Sequence, residues 1–97
     1  MKSVEVEILS DAPNNPVIRM PGRRFPSIAI QGDSLKILLD LAEELHEAAQ
    51  NCGDENILDL VAELTNLLNE RIDHYESVLK SYGIDLPYSK VSDGSSE

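Results

Sequence analysis

Seven residues of the stretch PGRRFPSIAIQGDSL, residues 21–35, suit recognition chemistry. Arg23 and Arg24 carry planar, permanently charged donor forks that match a phosphate or a carboxylate. Phe25, the single phenylalanine of the chain, offers a flat ring on which a base can stack. Gln31, Gly32, Asp33 and Ser34 stand just before a helical pattern. Backbone N–H groups at a helix start attract anions, and the helix dipole adds to the attraction. Gly32 would let a ligand approach the backbone closely. Asp33 is itself negative and suits a ribose hydroxyl or a base amine better than a phosphate. The chemistry these groups share is capture of a small anion, with a nucleotide-derived ligand as the natural class. The same residues also suit a structural role. The arginines can pair with surface carboxylates, Phe25 can plug the end of a core, and Gly-Asp-Ser can cap a helix.

The carboxylates offer a second chemistry. Glu44-x-x-Glu47 and Glu70-x-x-Asp73 resemble the ExxE…ExxD pattern of all-α nucleoside triphosphate pyrophosphohydrolases, which gathers carboxylates around Mg²⁺. In a helical hairpin turning near residue 52, Glu44 and Glu47 lie level with Val61 and Leu58, several turns from Glu70 and Asp73. Such a site would have to form between subunits. A Mg²⁺-dependent nucleotide hydrolase is therefore the third reading, and it would lose activity on Glu44→Gln. Glu43-x-x-His46 is a single ligand pair, and a di-iron site needs more than one such helix. His74 has Arg71, not a glutamate, three residues before it. Neither a phosphate-binding glycine loop nor a serine or Cys52 in a catalytic context is readable. No cofactor, metal or catalytic residue is expected, and the chain reads as non-enzymatic.

Charge separates the chain into unequal parts. The 97 residues carry 18 acidic and 8 basic groups, a net charge of −10. Residues 16–36 contain Arg19, Arg23, Arg24 and Lys36 against Asp33 alone, so the basic groups concentrate where the recognition residues lie. An acidic surface around a small basic patch argues against duplex nucleic acid, which needs a broad basic face. It allows one anion at the patch, or a basic protein on the acidic surface. One cysteine excludes an internal disulfide and fits a cytoplasmic location. No apolar run approaches the ~20 residues of a membrane span.

These residues need elements to hold them. SVEVEILS, residues 3–10, alternates Val4, Val6 and Ile8 against Glu5 and Glu7, as a half-buried strand does. Val17–Met20 and Ser27–Gln31 read as two further strands, and Pro21 and Pro26 bracket the turn between them. Asp33 or Ser34 is the expected N-cap of a first helix of about 17 residues, closed by Gly53. Its apolar stripe is Leu38, Leu41, Leu45, Ala48 and Ala49, with Ala42. Asp54 caps a second helix of about 28 residues reaching Tyr82. Its stripe, Ile57, Val61, Leu64, Leu68, Ile72, Tyr75, Leu79 and Tyr82, steps by threes and fours like a coiled-coil seam. The longer helix overshoots its partner, which leaves Ile72, Tyr75, Val78, Leu79 and Tyr82 to be covered by the sheet or by a second copy in a homo-oligomer. The fold class is α+β: a small antiparallel sheet of about three strands, then a long two-helix antiparallel hairpin. Residues 1–88 form one domain, and 89–97 a disordered polar tail.

The run from Asn14 to Leu35, N-x-x-V-I-R-M-P-G-R-x-F-P-x-x-x-I-Q-G-D-S-L, with the VEVEILS strand before it, resembles the signature of a family of small uncharacterised bacterial and phage-borne proteins. The resemblance covers about a third of the chain and implies no activity. In design, though not in sequence, the chain is similar to oligomeric phage sponges that sequester nucleotide signals of bacterial immunity with arginines and aromatic rings. The expected function is therefore an oligomeric anti-defence binding protein that captures a nucleotide-derived ligand. The alternative is an acidic, immunity-protein-like inhibitor of a basic partner, working through Glu5, Glu7, Glu43, Glu44 and Glu47.

Overall fold

The alternation around Val4, Val6 and Ile8 does produce a strand, shorter than the pattern itself. A computed structural model of the chain describes residues 1–89, with β1 at Glu7–Ser10, β2 at Val17–Arg19 and β3 at Ser27–Ile28. They form one antiparallel sheet in the order β1-β2-β3. Prolines set the strand limits. Glu7 pairs with Arg19, so Glu5 would meet Pro21, which has no N–H to give. Ile28 pairs with Val17, and Ala29 still donates to the Pro16 carbonyl at 2.9 Å, but Pro16 returns nothing. The β1 ladder shifts register between Ile8 and Ser10, leaving Leu9 as a bulge.

Two helices follow, α1 at Gly32–Cys52 and α2 at Glu55–Ser81. Asp54 caps α2 as expected: its carboxylate accepts from the Asn56 and Ile57 amides at 3.0 and 3.2 Å. Beyond α2 the chain reverses through Gly83 at φ 67. The Ile84 amide donates to the Leu79 carbonyl and the Gly83 amide to that of Lys80, which is a Schellman motif. Gly53 closes α1 in the left-handed conformation, also as expected. The start of α1 differs from expectation. Neither Asp33 nor Ser34 is the N-cap; the helix begins at Gly32 behind Gln31, which makes no side-chain cap bond. With 21 residues rather than about 17, α1 runs further back along α2, and the overshoot of α2 shrinks to its last two turns.

The core is small and lies between the helices. Leu39, Ala42 and Ala49 of α1 meet Val61, Thr65 and Ile72 of α2. Two alanines let the backbones come close, and the buried Thr65 hydroxyl sits 3.4 Å from the Ala42 carbonyl while donating to Val61 at 2.8 Å. This contact line overlaps the expected α1 stripe only at its alanines. Of that stripe, Ala42 and Ala49 are buried, whereas Leu38, Leu41, Leu45 and Ala48 are exposed. On α2, Ile57, Leu60, Leu64 and Leu67 are exposed as well. No strand approaches either helix, so the sheet does not cover the helical surface. The expected tail at 89–97 falls, from residue 90 onward, outside the described residues.

Candidate functional site

The arginine turn is built by two residues with fixed conformational preferences. Pro21 sets φ for the second position of a turn, and Gly22 takes φ 79 at the third. The Arg23 amide closes the turn on the Met20 carbonyl at 3.2 Å. This is the type II arrangement, in which glycine is needed at the third position. The turn presents Arg23, Arg24 and Phe25 to solvent. The Arg24 guanidinium lies 5.3 Å from the Phe25 ring centroid, so charge and ring form one unit. Phe25 is 70% exposed and plugs no core.

Among the described residues, neither Arg23 nor Arg24 has a carboxylate partner. The third arginine of the region, Arg19, pairs across the strands with Glu7 at 3.4 Å. Both members are well exposed, so the pair adds little stability. Arg19 and Arg23 share a shallow cleft of about 540 Å³ with Glu5 and Glu7. Two carboxylates and two guanidiniums line it, and among the described residues Arg23 makes no ion pair.

Gln31, Gly32 and Asp33 line a different cleft, of about 370 Å³, together with Tyr75 and Pro87. The two groups of sequence candidates thus do not converge within one chain. The helix start also carries its own anion: the Asp33 carboxylate accepts from the Ser34 amide at 2.8 Å. Gly32 serves packing. A Cβ built there would lie 2.1 Å from the Tyr75 ring, so the space above Gly32 belongs to that ring. Among the residues expected to cover an oligomer contact, Ile72 is 3% exposed and used inside the hairpin. Tyr75 covers Gly32, Leu79 is half-buried, and Val78 and Tyr82 remain exposed.

A polar cluster that the sequence motifs do not signal lies between the two helices. Asp40 and Glu43 of α1 face Asp73 and Glu76 of α2 across a cleft of about 240 Å³. The Lys36 ammonium pairs with Asp40 one turn on and lies 5.8 Å from the Tyr88 ring centroid. The Tyr88 hydroxyl donates to Glu76 at 2.7 Å. Burial, followed by that carboxylate, pushes the hydroxyl above its ordinary pKa of 10.0. Lys36 and Asp40, four apart, are legible as a helix pair. Tyr88 reaches them because the chain folds back after Gly83, and no sequence spacing pairs residue 88 with residues 36 and 76. Glu43, Asp73 and their neighbours do not form a group of three or more acidic, histidine or cysteine ligands able to hold a metal ion among the described residues.

No helix among the described residues is long and apolar enough to cross a membrane. No curated protein and no solved structure matches the chain. One family model does, over residues 1–88: that of a family of unknown function, DUF6959.

Proposed function

The chain belongs to that family of unknown function, and we propose from the site geometry that it is a binding protein that captures a small anionic, nucleotide-derived ligand. The observation that carries this reading is the pair of unpartnered guanidiniums at Arg23 and Arg24 in a chain of net charge −10. With 18 carboxyl side chains in the sequence, arginines at a surface turn readily find one. These two stay without one among the described residues, on a turn held by Pro21 and Gly22, beside an exposed ring. Arg23 and Arg24 would clamp phosphate, and Phe25 would stack on a base. Gln31, Asp33 and Ser34 lie away from this turn and would contribute only from a second subunit, and Gly32 lies under the Tyr75 ring. Sequestration of a signalling nucleotide is the concrete form of the proposal, since it requires binding alone.

The test is a thermal-shift series against cyclic dinucleotides, ADP-ribose derivatives and mononucleotides. The wild type and the Arg23→Ala/Arg24→Ala variant are compared. A ligand at 100 times its Kd stabilises by about 2.7 kcal/mol. A shift in the wild type and none in the variant is expected. Equal shifts in both would remove the turn from the site, and no shift with any nucleotide would overturn the reading.

The second reading, an acidic surface that masks a basic protein, is favoured by the facing carboxylates Asp40, Glu43 and Asp73. It predicts that Glu43→Gln with Asp73→Asn abolishes capture of a basic partner, while the double arginine variant retains it.

A further inference from the structure

The hairpin exposes a leucine groove on one side. Leu38, Leu41 and Leu45 of α1 and Leu64 and Leu68 of α2 line a trough of about 300 Å³ whose walls are almost wholly apolar. Leu60 and Leu67 extend the exposed surface along α2. We infer that this face is the interface between two copies of the chain, which close it as an antiparallel four-helix bundle about a twofold axis.

The chain exposes 7565 Å², whereas a folded monomer of 10.7 kDa exposes about 5,500 Å². The excess is about 2,000 Å². Assigning residues 90–97 the area of a fully unfolded chain still leaves about 1,200 Å² unexplained. A stable interface buries roughly 800 Å² per partner, and obligate homodimers more. That surplus is shared between the unbacked sheet and the exposed leucines of the helices, and a contact of dimer size draws on the second share.

Charge favours the same face. Two chains of net charge −10 repel each other, so a self-contact must keep their carboxylates apart. The leucine groove is lined by no charged residue. Asp40, Glu43 and Asp73 lie in the cleft on the other side of the hairpin. Groove-to-groove docking leaves these acidic clefts on the outside of the bundle. The exposed Leu60, Leu64 and Leu67 of α2 step by four and three, the spacing of interlocking helices. A twofold contact uses the same patch on both chains, and the leucine groove of each chain can supply it. This inference stands independently of the ligand reading, because none of its residues belongs to the arginine turn.

The experiment is light-scattering mass and sedimentation of the full chain across a concentration series, with Leu41→Glu alongside. Leu41 is 57% exposed in one chain, so the charge costs the isolated hairpin little and the interface much. The expected masses are twice 10.7 kDa for the wild type and 10.7 kDa for L41E, with helical circular dichroism reporting the fold. A wild type that is monomeric throughout would assign the groove to a different protein and overturn the inference. So would an L41E variant that is folded and dimeric. If L41E loses its helices, the wild-type melting temperature decides: it must rise with protein concentration, and a flat series overturns the dimer.

Discussion

The ring of Tyr75 occupies the volume that any side chain at position 32 would need. Gly32→Ala is therefore expected to destabilise the protein by about 1–3 kcal/mol through overpacking, offset in part by the better helix propensity of alanine. Chemical denaturation checks this, and Tyr75→Leu in the same chain should recover part of the loss, since contacting residues are not additive. Tyr88 makes a different kind of prediction. Its pKa in the folded chain lies above the ordinary 10.0, so the folded state holds the proton more tightly than the unfolded state. The stability it adds is complete below pH 10 and falls as pH rises beyond that value. Tyr88→Phe should cost about 1 kcal/mol at neutral pH, and the gap between variant and wild type should narrow in alkaline denaturation series. Asp33 shows why a residue type alone misleads. Its carboxylate already takes the amide of Ser34, an amide that the sequence offers equally to a ligand.

At the scale of elements, α2 is set by its ends. Asp54 satisfies two amides at its start, and the Gly83 reversal satisfies carbonyls at its finish. Asp54→Ala should lower stability by about 1 kcal/mol, readable as a reduced melting temperature, with Asp54→Ser recovering most of it. Both ends were legible because a capping carboxylate and a glycine act locally. The start of α1 was not, because Gln31 makes no side-chain cap bond. The strands were legible in place but not in length, since each ladder stops where its partner is a proline. The buried face of α1 was legible in part: Ala42 and Ala49 stood in the expected stripe, and Leu39 did not. That helix offers two apolar lines, Leu39-Ala42-Ala49 and Leu38-Leu41-Leu45, and spacing alone ranks the leucines first. Close approach of two backbones selects the alanines instead, and that choice depends on both helices together.

At the scale of the whole molecule, the arginine turn was legible as a candidate site because Pro-Gly, Arg-Arg and Phe each keep their chemistry in any context. Its separation from the Gln31–Asp33 cleft follows from the path of the chain through β3. The acidic side of the hairpin is a collective property. Raising salt from about 0.01 M to about 0.15 M shortens the Debye length from roughly 30 Å to 8 Å, so the melting temperature should rise over that range. A fall would mean that attractive pairs such as Lys36–Asp40 outweigh the repulsion. The sheet has a consequence of its own. Its strands have four, three and two residues, and none of them approaches a helix. A ribbon of that size without a backing layer gains little from the helices it is joined to. The chain then contains two cooperative units of unequal strength. Amide protons at Ile18 and Ser27 should exchange with deuterium through frequent local opening, while those around Ala42 and Thr65 wait for the hairpin to come apart. The arginine turn rides on the weaker unit, so anything that grips it should slow exchange throughout the strands.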